Sequence, residues 1–142
     1  MTELLPLLST EWIAHYRELW NANTVAIEGT RGMGGLIELR ATDIDDREPV
    51  QLNLLTDGTC DYAGPARDDG DPRFRLSATT ETWRKLGAGE MGIRRAVTGP
   101  VKVQGSLTTA LKFFQGLEEA LRQFGDVPTV EWGGTIRDRT PA

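Results

Sequence analysis

Cys60 is the only cysteine in the 142-residue chain and His15 the only histidine. One thiol excludes an intramolecular disulfide, and one residue of each type excludes a Cys/His zinc site by count. Ser-His-Asp or Cys-His chemistry would have to run through His15 alone. Long apolar runs are missing too: the longest, Leu4–Leu8, is broken by Pro6. A membrane span needs about 20 apolar residues, so no stable membrane insertion is expected. No Lys or Arg precedes Arg17, so the basic start of a secretory signal is lacking. The C-terminal Arg139-Thr140-Pro141-Ala142 spells no peroxisomal or retention address. A cytoplasmic protein is expected.

Basic charge is also in short supply. The net charge is −5 and the isoelectric point near 4.9, whereas nucleic-acid binders carry a basic footprint. A nucleic-acid partner is therefore not expected. The charge is uneven: residues 1–71 hold 5 basic and 14 acidic side chains, residues 72–142 hold 11 and 7. Such a split reads either as two differently solvated faces or as a local positive patch for an anionic group.

What is present is an ordinary globular composition, 39% hydrophobic and 26% charged, at a length of one domain. Ser9 is placed to cap a first helix over 10–28, with Trp12, Tyr16, Leu19 and Trp20 at helical spacing. The glycine-rich stretch Gly29–Gly35 stops it. Strands are predicted at Leu36–Ala41, Val50–Leu54, Thr59–Gly64, Arg73–Ala78 and Val101–Gln104, with Asp57-Gly58 as a hairpin turn. Thr79 or Thr80 caps a short helix carrying Trp83 and Leu86, and a second spans Met91–Val97. Ser106 caps an amphipathic helix from Leu107 to Phe124, with Gly116 as a helix-weakening residue inside it. Its first half, with Leu111, is expected to be anchored core, and its second half, with Leu121, a looser lid. The domain is expected to end at 124, leaving 125–142 as a polar, weakly ordered tail with one strand at Thr129–Trp132. In nearly every strand one parity is apolar and the other charged or amide. One sheet face is therefore wet and the helices pack on the other, an α+β two-layer fold.

Several tempting motifs dissolve on inspection. Gly29–Gly35 follows a helix, opens a strand and lacks a lysine, unlike a phosphate loop. Asp68-Asp69-Gly70-Asp71 lacks the spacing and distal Glu of a calcium loop. Asp45, Asp46 and Glu48 form another solvated acidic turn. Gln104-Gly105-Ser106-Leu107-Thr108 is not a nucleophile elbow. His15 lies beside the apolar stripe of Trp12 and Leu19. No catalytic residue, metal ligand or cofactor is assigned. The aromatics at helical spacing read either as plain core or, with Phe113 beside Phe114 wider than one buried stripe requires, as the wall of a pocket for an apolar ligand.

The order of certain pieces is more specific. Ser9-Thr10-Glu11-Trp12 leads to Trp20-Asn21-Ala22-Asn23. Then come Arg75-Leu76-Ser77-Ala78, Trp83-Arg84-Lys85-Leu86, Gly89-Glu90, Ala96-Val97-Thr98-Gly99, Val101-Lys102-Val103-Gln104-Gly105-Ser106 and Ala110-Leu111. Over residues 9–121 the chain resembles the sterol carrier protein type 2 domain in its bacterial stand-alone form. The resemblance implies a five-stranded, mainly antiparallel sheet covered on one face by helices, with an apolar tunnel between the layers. It implies a non-catalytic lipid carrier whose ligand is a fatty acid, acyl-CoA, phospholipid or isoprenoid-type lipid. The expected lining is Trp83, Leu86, Met91, Ile93, Phe113, Phe114, Leu117 and Leu121 from the helices, over Ile37, Leu39, Val50, Leu52, Phe74 and Val101 from the sheet. Arg84, Lys85, Arg94 and Arg95 are expected at the head group. The chain departs from the animal carriers in its acidic loop, its polar tail and the lack of a peroxisomal signal. Two other classes stay open: an accessory module working as a homodimer or with a partner enzyme, and a small isomerase-type pocket enzyme.

Overall fold

The computed structural model describes residues 3–67 and 71–137. Ser9 caps α1 (Thr10–Asn21) by accepting from the Trp12 N–H. The periodicity predicts one helix to residue 28, but the chain breaks at Ala22 and restarts as α2 (Thr24–Thr30). The cause is Asn23, whose backbone is extended and whose side chain accepts from the Ala26 N–H. A side chain that satisfies free helix donors starts a new helix as readily as it sits in an old one.

The five strands are β1 (Gly35–Ala41), β2 (Val50–Leu54), β3 (Cys60–Pro65), β4 (Phe74–Ala78) and β5 (Lys102–Gln104), in the spatial order β3-β2-β1-β4-β5. β1 and β4 run parallel and the other pairs antiparallel. The register stacks like parity on like. Ile37 stands beside Leu52 and Phe74, Leu39 beside Val50 and Leu76, and Leu76 beside Val103. A one-residue slip would turn this whole set to the other face.

The opposite parity is polar, as the alternation predicts, though not uniformly wet. Gln51 is only 1% exposed. Its amide donates to Glu38 at 3.0 Å and accepts from the Arg67 N–H at 3.0 Å, so its burial leaves no orphan group. Of the acidic loop beyond it, Asp68, Asp69 and Gly70 lie outside the described residues.

Thr79 caps α3 (Thr80–Ala88) and Gly92 starts α4 (Ile93–Val97). The helix expected over 107–124 is three pieces: α5 (Leu107–Lys112), α6 (Phe114–Arg122) and a 3-10 turn (Gln123–Asp126), with the break at Phe113. The expected tail is not loose as far as Arg137. Val127 and Thr129 are fully buried, and the Trp12 indole donates to the Thr129 hydroxyl at 2.9 Å. Leu5 and Val130 exchange backbone bonds with this segment, Leu5 N–H to Pro128 at 2.8 Å and Val130 N–H to Leu5 at 2.9 Å. In place of a strand at Thr129–Trp132 there are single bridges at Thr129 and a 3-10 turn over Val130–Trp132.

The core lies between the helices and the apolar sheet face. Phe124 is its hub, stacked on Trp83 at 4.7 Å, tilted against Trp12 at 4.9 Å and edge-on to Tyr16 at 5.6 Å. Among the described residues no helix is long and apolar enough to cross a membrane.

Candidate functional site

Packing between the layers is incomplete beside this hub. An apolar cavity of about 50 Å³ remains, floored by Ile37, Leu39, Leu52, Phe74, Leu76 and Val103 of the sheet. Its walls are Tyr16 and Trp20 of α1, Ile93 and Val97 of α4, Ala110 of α5, and Leu117, Ala120 and Leu121 of α6, with Val101 and Phe124 completing it.

Eight of the predicted lining residues meet there: Ile37, Leu39, Leu52, Phe74, Ile93, Val101, Leu117 and Leu121. Six do not. Trp83 is fully buried against Phe124 and its indole N–H donates to the Arg40 carbonyl at 3.1 Å. Leu86 is core beneath α3. Met91 is half-buried against the core. Phe113 turns toward the glycine-rich stretch, where a Cβ at Gly32 would stand 4.0 Å from its ring. Phe114 carries the Arg94 guanidinium 5.3 Å above its ring. Val50, likewise expected in the floor, is buried core away from the cavity, whereas Ile37 and Val101 do reach it.

The wall contributed by α1 is what the aromatic spacing hides, because Tyr16 and Trp20 read equally well as plain core. Strand parity could have found Leu76 and Val103. Helical spacing sets Ala110 on the apolar face of its helix, but nothing local points to Ala120 or marks either alanine as facing a space.

The cavity wall is chemically quiet. The Tyr16 hydroxyl donates to the Ala120 carbonyl at 2.6 Å. Burial, and then the nearby Cys60, Glu119 and Asp126, hold the phenol well above its ordinary value, so it stays neutral. The arrangement suits an apolar group and offers it hydrophobic contact rather than proton transfer. Its size sets a condition. A dry engineered cavity of about 150 Å³ takes one benzene, three times the volume found here. A chain-like ligand enters only if a wall moves.

The walls differ in how firmly they are held. α6 is tied to α1 by Tyr16 and lies in backbone contact with α2, where a Cβ on Gly116 would come 2.3 Å from the Gly29 carbonyl carbon. Leu121 is 6% exposed and anchored. α5 is the reverse: none of Thr108–Lys112 is buried, and Leu111 is 62% exposed. The expectation of an anchored first half and a loose second half is thus inverted. Leu111 falls outward because the break at Phe113 resets the helical phase between α5 and α6.

The four predicted head-group cations split in two. Arg84 is bound to Glu81 at 2.7 Å and Glu90 at 3.0 Å, and Lys85 is half-buried in the last turn of α3. Arg94 and Arg95 are exposed on α4, with no ion-pair partner among the described residues, next to the cavity-lining Ile93.

Comparison with known proteins fits this geometry. The model of the SCP-2 sterol transfer family matches residues 20–118. A crystal structure of sterol carrier protein 2 superposes with a TM-score of 0.71 at 18% identity, over 85% of this chain and 98% of the other. A conserved protein of Thermus thermophilus, described as possibly a sterol carrier protein, gives 0.67 at 17% identity, over 87% and 92%. The ubiquinone synthesis protein UbiJ-SCP2 gives 0.52 at 13% identity, over 76% and 90%. No curated protein sequence matches.

Proposed function

We propose, from the premise that this chain belongs to the SCP-2 sterol transfer family, that it is a non-catalytic lipid carrier acting in the cytoplasm. It holds one fatty acid, acyl-CoA, phospholipid or isoprenoid-type lipid with its apolar part between sheet and helices. The observation that carries this reading is the apolar cavity between the layers, bounded on one side by the thinly held α5. Elements of low local stability are those that open for ligands. α5 swings away, the cavity lengthens toward the break at Phe113, and Phe113, Phe114 and Met91 join its lining. Arg94 and Arg95 meet an anionic head group at the mouth, with Lys85 and the paired Arg84 behind them. Desolvated cation–carboxylate contacts are worth more than exposed ones, so the head-group preference is modest and fades with salt.

Titration with a fluorescent fatty acid tests the reading. Saturable binding of one molecule per chain, displaced by unlabelled lipid, is expected. No saturation up to tens of micromolar overturns it.

A further inference from the structure

Lipid carriage uses one of the sheet's two faces. Leu39, Leu76 and Val103 floor the cavity. The residues that alternate with them, Arg40, Ser77 and Lys102, therefore stand on the opposite face. The register sets these three in one row across the sheet. Ser77 of β4 is paired with Arg40 of β1 on one side and with Lys102 of β5 on the other. Neighbouring strands lie about 4.8 Å apart, so each cation flanks the hydroxyl at one strand spacing. Arg40 and Lys102 are exposed and Ser77 is half-buried.

The row differs from the rest of its face. Toward β2 and β3 the polar side chains satisfy one another. Asn53 donates to Asp61 at 2.8 Å, and the Arg67 guanidinium lies 4.2 Å over the Tyr62 ring. Glu38, the carboxylate in the adjoining row, is held by Gln51 at 3.0 Å and Arg75 at 3.4 Å. The side chains of Arg40, Ser77 and Lys102 have no hydrogen-bond or ion-pair partner among the described residues. Two uncompensated positive charges thus bracket an unused hydroxyl, on a chain whose net charge is −5.

We propose that the Arg40–Ser77–Lys102 row binds the phosphate of a small, soluble phosphate monoester, on the sheet face turned away from the lipid. The balance of charges and donors selects this class. A phosphate monoester carries a charge of about −1.5 to −2 at neutral pH and three strong acceptor oxygens. The row offers two positive charges and three donor groups, one for each oxygen. Arg40 supplies a planar fork, Lys102 a mobile point charge and Ser77 a hydroxyl between them. A carboxylate, with one charge and two oxygens, leaves the row part-filled. Arg94 and Arg95 belong to α4, whose Ile93 and Val97 wall the cavity from the helical side. The two ligands therefore bind on opposite sides of the sheet without competing.

The test is titration of the isotope-labelled full chain with phenyl phosphate, followed by backbone amide NMR shifts at constant ionic strength, with benzoate as the carboxylate counterpart. Phenyl phosphate should give saturable shifts centred on Arg40, Ser77 and Lys102, and benzoate should bind more weakly. Arg40→Gln and Lys102→Gln should each lower the affinity about fivefold, the upper end for an exposed ion pair. Ser77→Ala should lower it by less. Lys112→Gln, which removes an equal charge from α5, should leave it unchanged. No saturation up to about 10 mM phenyl phosphate overturns the site. Equal affinity for benzoate, or an equal loss from Lys112→Gln, overturns it too. Fluorescent fatty acid is titrated into the Arg40→Gln, Lys102→Gln double variant and should bind as it does to the parent. Failure of the phosphate test with fatty-acid binding intact refutes this site alone and leaves the carrier reading standing.

Discussion

Gly29 and Gly116 meet backbone to backbone: a Cβ on Gly116 would lie 2.3 Å from the Gly29 carbonyl carbon and 2.5 Å from its oxygen. Glycine in a helix interior ordinarily costs about 1 kcal/mol against alanine. Here it is required, because α2 and α6 could not approach with any side chain between them. Gly116→Ala should therefore destabilise the fold by about 1–3 kcal/mol, as overpacking does. Thermal melting checks it, and a stabilised variant would mean that the helices are free to separate.

Leu111 and Leu121 should respond in opposite ways. Leu121→Ala removes a side chain buried in the cavity wall and should cost about 2–5 kcal/mol. Leu111→Ala removes an exposed one and should fall within about 0.5 kcal/mol of the parent. Its effect belongs to the rate of lipid release, if α5 is the element that opens. Denaturant melts and stopped-flow release on the two variants separate stability from gating.

Filling the cavity from its α5 side should block the ligand. Ala110→Trp places an indole where about 50 Å³ is empty. Fatty-acid affinity should drop at least tenfold, equivalent to about 1.4 kcal/mol. Unchanged affinity, in a variant whose circular dichroism is native, would place the ligand elsewhere.

The pinned C-terminal segment gives the fold an acid-sensitive joint. Arg137 donates to both Glu119 oxygens at 2.7 Å and to Asp126 at 3.0 Å, and Asn23 donates to Glu119 at 2.8 Å. Burial alone would raise the Glu119 carboxyl. The bonds from Arg137 and Asn23, with the arginine charge, outweigh it and hold the group below its ordinary value. A carboxyl lowered in the folded state contributes its full stability above the unfolded value of about 4.3. That contribution disappears as pH falls through the lowered folded value. Glu119→Gln should lower stability near neutrality and flatten its decline below about pH 4. An acid limb as steep as the parent's would exclude Glu119 from the joint.

Much of this fold is legible in the sequence because its strands alternate cleanly and its caps are explicit. Ile37, Leu39, Leu52 and Phe74 announce their face by parity, and Ser9, Thr79 and Ser106 announce helix starts that are found where expected. What stays hidden are breaks inside apolar periodicity. Asn23 and Phe113 interrupt helices without glycine or proline, and the second break turns Leu111 out to solvent. The packed segment after Phe124 is hidden for another reason. Pro128, Thr129 and Val130 are held by Leu5 and Trp12, more than a hundred residues away, and local composition carries no record of such partners. The site is half visible: large lining residues follow from spacing, whereas Ala110 and Ala120 are defined by the space they leave.

A native mass spectrum of the purified protein, before and after incubation with a long-chain fatty acid, tests the central claim most directly. The carrier reading predicts a mass excess of one lipid per chain, present on purification or acquired on incubation, and absent from Ala110→Trp. A bare chain mass in every sample, or uptake undiminished in Ala110→Trp, would contradict it.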